Sequence, residues 1–349
     1  MTIIFEGAVM RALATIRQVH TIEAIPNADA IELAKIDGWQ CVVKKGEFKP
    51  GDTGVYFEID SMLPIEDRYE FLRKSSYKKL PELEGRVCEG FRLKTIKLRG
   101  ALSQGLLMPL SAFPELVSET VGSDVTTKLC VVLYEPPIEA SLQGIVKGNF
   151  PSFIRKTDSD RIQNHLDYFE KYIDIFWEVT EKVDGTSMTV YFNNNVFGVC
   201  SRNMEFMLET DNAYIKMAKQ LELEKLMRAY GQNIAIQGEL AGEGIQGNPL
   251  KIGGHHFFVF DVWDIERQEL MPAEKRYDTL KCIGDLECVP IINHISLCGK
   301  TVAEILAMAD GHSLINQQKE REGLVFKAVT EINALSFKAI SNKYLLSGK

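Results

Sequence analysis

A lysine two residues ahead of an aspartate-glycine pair, Lys182-Val183-Asp184-Gly185, is the feature of this 349-residue sequence with the most chemical potential. A lysine amine is a nucleophile only when neutral. Its free pKa of ~10.4 keeps it protonated near neutrality unless burial or nearby cations bring it down. Alone, K-x-D-G says little: about one chain in fifteen of this length has one by chance, and a β-turn flanked by exposed charges accounts for it. An ordered series of segments downstream gives it weight. Ser201-Arg202 comes first, then Gly238-Glu239-Leu240-Ala241-Gly242, then Phe258-Val259-Phe260-Asp261-Val262. Glu322-Gly323-Leu324-Val325-Phe326-Lys327 and Ser336-Phe337-Lys338 complete the series.

The elements that must position these residues show in the periodicity. Phe176–Phe192 reads as two strand-like stretches on either side of Asp184-Gly185, and Asn193-Asn194-Asn195 turns the chain into Val196–Ser201. A strand is predicted over Asn233–Gln237. One helix is predicted over Thr210–Tyr230 with Gly231 as its stop, and another from a Thr301/Glu304 capping box to a stop near Gly311. Upstream, Leu13–Val19, Ile31–Ile36, Trp39–Val43 and Gly54–Ile59 are short apolar stretches. Turn signals such as Pro26-Asn27-Ala28-Asp29, Asp37-Gly38 and Pro50-Gly51-Asp52 separate them, a spacing that predicts a small β-barrel. Within Arg92–Leu110 the pattern first alternates, with Leu93, Thr95, Lys97 and Arg99 on one face, before Gly100 and Gly105 punctuate it. A domain boundary is expected between Ser141 and Asp167, giving domains 1–150 and 151–349.

Bulk composition limits the options. The apolar runs are far shorter than the ~20 residues of a membrane span, and Met1–Val9 does not read as a signal peptide. Seven scattered cysteines with no C-x-x-C suit reduced thiols in a cytosol-like compartment, so a cytoplasmic (or nuclear or organellar) rather than secreted protein is expected. The spacing of Cys282, Cys288 and His294 does not fit the common zinc patterns. Net charge is −8, which is not the footprint of a nucleic-acid coat protein, yet between Phe71 and Gly100 nine bases face three acids. Lys94, Lys97 and Arg99 in that stretch are candidates for holding a phosphate backbone, and a solvated basic loop is the bland alternative.

From Glu181 to Lys343 the ordered segments resemble motifs I, Ia, III, IIIa, IV and V of the covalent nucleotidyltransferases, the ATP-dependent ligases and mRNA capping enzymes. The resemblance implies that Lys182 attacks the α-phosphorus of ATP and carries AMP. It implies that Lys338 and Lys327 lower the Lys182 pKa and hold the phosphate. Asp184, Glu239 and Glu322 would hold Mg²⁺ or Mn²⁺, which offsets charge as pyrophosphate leaves. Phe260 would stack on adenine, with Phe258 as the alternative. Arg202 would bind ribose or phosphate, and Glu181 would contact adenine.

DNA ligases and capping enzymes have an OB domain after motif V, whereas only eleven residues follow Lys338 here. Gly238–Asn248, GELAGEGIQGN, is similar to the same stretch of nick-sealing RNA ligases. A barrel ahead of the transferase domain resembles family-5 RNA ligases, over nearly the whole chain. The implied fold is α+β: an N-terminal OB-type β-barrel for nucleic-acid engagement, then an adenylyltransferase domain of ATP-grasp-like antiparallel sheets plus helices. In Phe150–Asn164, Lys156 and Arg161 are candidates for the ATP phosphates. Two departures stand out. Motif V reads Ser336-Phe337-Lys338 where relatives often have K-x-K, which leaves Lys343 as a candidate for the second lysine. Ser187 replaces an asparagine found in some relatives. The expected partner is RNA, or a nicked duplex with a ribonucleotide 3′-hydroxyl, met by a monomer away from membranes. The rivals are a DNA ligase and a non-catalytic OB end-binding protein.

Overall fold

The computed structural model describes residues 11–80, 89–134, 144–329 and 335–347. The chain falls into two compact units, Met1–Ile138 and Glu139–Lys349.

In the first unit β1 (Ala14–Gln18), β2 (Thr21–Ala24), β3 (Ile31–Ile36), β4 (Trp39–Lys44) and β5 (Thr53–Phe57) form where short apolar stretches alternate with turns. They are followed by β6 (Ser61–Leu63), α1 (Arg73–Ser76), β7 (Tyr77–Lys79), β8 (Glu89–Arg92), β9 (Thr95–Leu98), β10 (Ala101–Gln104), β11 (Leu106–Pro109) and β12 (Val132–Leu133). β5 lies between β1 and β11, β3 between β2 and β4, and β9 and β10 form a hairpin. Alternation decides the inward face: Trp39, Cys41 and Val43 of β4 are buried while Gln40 and Val42 are only partly so. The Arg92–Leu110 block is more broken than its alternation suggests. Leu98 pairs with Ala101, so Arg99-Gly100 is the two-residue loop of the hairpin, with φ of 48° and 86°. Positive φ at both central residues suits the right-handed twist of the strands, and it puts Arg99 at the hairpin tip rather than on a strand face. Glu82, Glu84, Arg86 and Cys88 lie outside the described residues.

The second unit holds β13 (Val146–Asn149), β14 (Asp160–Arg161), α2 (Tyr168–Lys171), β15 (Phe176–Lys182), β16 (Thr186–Asn193), β17 (Val196–Cys200) and β18 (Met204–Phe206). Then come α3 (Ala213–Gln220), α4 (Leu223–Tyr230), β19 (Ile234–Gly242), β20 (His255–Asp264), β21 (Glu269–Leu270), α5 (Ala273–Ile283) and β22 (Ile291–Ser296). It ends with α6 (Val302–Ala309), β23 (Gly323–Ala328), β24 (Ser336–Ile340) and α7 (Asn342–Ser347). A seven-stranded sheet has the order β13-β18-β17-β16-β19-β20-β21, and a five-stranded sheet the order β14-β24-β23-β15-β22. Because β13 pairs with β18, residues 146–149 belong to this unit, and the division falls earlier than the boundary of 150 read from the sequence.

The register of the five-stranded sheet sorts its side chains. Trp177 and Val179 share a core with Leu324, Phe326, Phe337 and Ala339. The alternate positions Glu178, Thr180 and Lys182, paired with Lys327, Val325 and Gly323, turn to the other face, and there Lys338 is opposite Val325. The helix predicted over Thr210–Tyr230 is two helices, α3 and α4, broken where Glu222 takes a φ of 50°. Gly231 stops α4 with a φ of 73°. The Thr301 capping box is present: its hydroxyl accepts from Glu304 N while Glu304 accepts from Thr301 N. Among the described residues no helix is long and apolar enough to cross a membrane.

Candidate active site

Lys182 is the last residue of β15, and Val183-Asp184-Gly185 carries the chain from the five-stranded sheet into β16 of the seven-stranded one. Two glycines make the approach of neighbouring strands possible. A Cβ on Gly185 would lie 2.4 Å from the Leu240 carbonyl oxygen and 3.1 Å from Glu239 Cγ. On Gly323, directly across from Lys182, it would lie 2.2 Å from the Ala339 carbonyl oxygen. Both contacts are with backbone oxygens, so any larger residue forces strands apart.

Three carboxylates act on the amine, one of them in contact with it. Lys182 Nζ donates to Glu322 Oε2 at 2.6 Å. Glu239, on β19 opposite Ser187, and Asp184 act on the same amine through space. Burial lowers the Lys182 pKa, but Glu322, Glu239 and Asp184 together outweigh it and the net direction is upward. This corrects the expectation that the site itself lowers that pKa: without nucleotide the amine is held as an ammonium. Glu239 shows the opposite side of the balance. Burial pushes its carboxyl up to about 7, with Glu322 and Asp184 adding to the rise against the pull of Lys182. Asp184 is buried and accepts a hydrogen bond from the Tyr344 hydroxyl.

Among the described residues no three His, Cys, Asp or Glu side chains are gathered into a ready metal cage. The donor set nevertheless fits a hard divalent cation. It is all oxygen, and burial with two neighbouring carboxylates raises the Glu239 carboxyl despite Lys182, a balance that a bound cation would shift toward the ionised form. Mg²⁺ in particular keeps most of its waters and takes one or two carboxylates plus substrate phosphates.

The cations divide into two groups. Lys338 stands on β24 beside Arg161 of β14, its partner in register. Burial, Lys182 and Arg161 push its amine down to about 8. Lys327 belongs elsewhere, donating to Asp261 Oδ1 at 2.7 Å and to the Phe260 carbonyl at 2.8 Å. Burial and Arg276 bring its pKa down despite Asp261. Lys327 therefore anchors β20 to β23. Arg202 is exposed and paired with Asp158 at 2.8 Å, and Lys156 donates to Asn203 at 2.9 Å. These two contacts join segment 155–159 to the loop after β17. Lys343 is exposed, 4.0 Å from Asp310, and pairs with none of the site residues.

Phe260 is half-buried with Lys327 Nζ 5.1 Å from its ring centre, whereas Phe258 is buried and stacked on His256. Phe260 is thus the more accessible of the two aromatics. Glu181 does not join Lys182: the strand alternation turns it aside, and its Oε2 accepts from Leu314 N at 2.7 Å. Sequence reasoning missed Asp261, Arg276, Glu178 and Tyr344. Arg276 bridges Glu178 at 2.6 Å and Asp261 at 3.9 Å, all three buried. A charge in the middle of an apolar strand, as in Phe260-Asp261-Val262, is the signal that points to such a buried ionic partner. Arg321, next to Glu322, donates to the carbonyls of Met308, Ala309 and Asp310, fixing Glu322 to the end of α6.

A model of an OB-fold domain matches residues 13–110, and a model of the RNA ligase family matches residues 175–344. The chain belongs to the RNA ligase family, with an OB-fold domain ahead of the ligase domain. It is similar along nearly its whole length to the RNA ligase of Naegleria gruberi. A glutamate-to-alanine variant of that ligase with AMP and manganese is 45% identical, with a TM-score of 0.81, covering 97% of this chain and 99% of that one. The same ligase with pyrophosphate gives 45% identity and a TM-score of 0.79 over 97% and 99% of the two chains. A lysine-to-alanine variant with ATP and manganese gives 45% and 0.80 over 96% and 98%. No curated protein sequence matches the chain.

Proposed function

We propose that the chain is an ATP-dependent RNA ligase that joins RNA 3′-hydroxyl and 5′-phosphate ends, at nicks in duplexes, through AMP carried on Lys182. The observation that carries this reading is the setting of Lys182. A single amine stands between three carboxylates and the Lys338/Arg161 pair, at the junction of two sheets. The ATP, AMP and pyrophosphate complexes of the Naegleria ligase support the same chemistry.

In this reading Lys182 gives its proton to solvent, and its Nζ lone pair attacks the α-phosphorus. A phosphoramidate forms as the bond to pyrophosphate breaks. The RNA 5′-phosphate then displaces Lys182 and takes AMP, and the 3′-hydroxyl displaces AMP to leave a phosphodiester. Lys338 and Arg161 hold the negative phosphate, Lys156 is within the same segment, Phe260 offers its ring to adenine, and Arg202 exchanges Asp158 for ribose or phosphate. A divalent cation at Asp184, Glu239 and Glu322 neutralises charge as pyrophosphate departs. Its binding also removes the carboxylate field that keeps Lys182 protonated.

The test is a Lys182→Ala protein with α-labelled ATP and a nicked duplex. No labelled adduct is expected, while a pre-adenylylated nick is still sealed. An adduct in that variant excludes Lys182 as the carrier, and equal sealing of all-DNA nicks would favour a DNA ligase.

A further inference from the structure

We propose that Tyr344 is a positioning residue for the first chemical step, its phenol holding Asp184 in the orientation by which that carboxylate completes the oxygen set around Lys182. The inference rests on the ligase reading and extends it to Tyr344 in α7, a residue that none of the motif segments names. The Tyr344 hydroxyl donates to Asp184 Oδ2, and the two residues, 160 positions apart, are 8% and 7% exposed. A desolvated carboxylate depends on its hydrogen bonds, and one from a fixed ring sets direction as well as strength.

The start of α7 is fixed to the same site. Ser341 N donates to the Glu322 carbonyl at 2.9 Å, and Ser341 Oγ donates to Asp310 Oδ1 at 2.8 Å. Tyr344 N donates back to Ser341 Oγ at 3.0 Å. One short segment thus touches the backbone of one carboxylate residue, Glu322, and the side chain of another, Asp184. With the phenol on one oxygen, the Asp184 carboxylate cannot turn freely, and partners of this kind typically change metal affinity or activity by about 10–100-fold.

The experiment compares wild type with Tyr344→Phe, which keeps the ring and removes the hydroxyl. Free Mn²⁺ is followed by electron paramagnetic resonance in the presence of a non-hydrolysable ATP analogue, and Lys182 adduct formation is titrated with Mn²⁺ in parallel. The expected result is a Mn²⁺ midpoint raised about tenfold or more in both readouts, with little change in the ATP KM. In an Asp184→Asn background the same substitution should move the midpoint no further. An unchanged midpoint, or a drop of equal size at every Mn²⁺ concentration, would mean that the ring merely packs, and the proposal fails. Additive effects in the double variant overturn it as well. Absence of an adduct in wild type counts against the ligase reading instead, and the resonance measurement still decides the role of Tyr344.

Discussion

At the scale of single residues, Lys182 is pulled in two directions. Burial favours the neutral amine that can attack, and three acidic neighbours favour the ammonium that cannot. The triphosphate brings about four more negative charges, so a neutral amine needs a cation there before it can approach. Glu322→Ala should therefore form no adduct at any Mg²⁺ or Mn²⁺ concentration, and wild type should form none in EDTA; full adenylylation in EDTA contradicts the scheme. Glu239 gives a stability test in metal-free buffer. Its folded pKa, about 7, lies above the ordinary 4.5. Between those values the folded protein binds a proton that the unfolded chain lacks, so stability falls as pH rises through that window. Glu239→Gln abolishes the titration. Its melting temperature should gain on wild type as pH rises from about 4.5 to 8, and a gap independent of pH would refute the assignment.

At the scale of elements, the sequence made legible whatever repeats or caps. β3 and β15 begin and end close to where alternation and turn residues placed them, and α6 starts at its Thr301 box. Motif order brought Lys182, Glu239, Glu322 and Lys338 to one site because Lys182 and Lys338 lie on one sheet, Glu322 immediately precedes β23, the strand between theirs, and Val183-Asp184-Gly185 leads from β15 into the sheet that carries Glu239. The rest depended on contacts between residues distant in sequence. No local pattern shows that Lys327 is committed to Asp261, that Tyr344 reaches Asp184, or that Glu222 breaks a helix whose apolar spacing runs on through it. Gly323→Ala tests the register itself. Its methyl would meet the Ala339 carbonyl, costing about 1–3 kcal/mol, with a fall in melting temperature of about 2–4 °C per kcal/mol. Adduct yield should drop further than stability does, because Glu322 is its neighbour. A variant as active as wild type would show that β23 and β24 can separate without disturbing the site.

At the scale of the whole molecule, the basic hairpin and the nucleotidyl site belong to separate units and should fail separately. Lys94, Lys97 and Arg99 are exposed, Lys94 just ahead of β9, Lys97 on it and Arg99 at the tip of the β9–β10 hairpin. Neutralising all three should weaken nick sealing and flatten its salt dependence, by about one unit of logarithmic slope for each phosphate no longer neutralised, with adduct yield unchanged. Unchanged sealing with a collapsed adduct yield would reverse the proposed division of roles. The strand order of the ligase domain also bears on how the protein is made. β24, residues 336–340, is made long after β14, yet it is inserted between β14 and β23 in the interior of its sheet. A nascent chain can display Lys182 long before it can complete the sheet beneath it. Chains cut short before residue 336 would carry Lys182 without Lys338 and without the strand that joins β14 to β23.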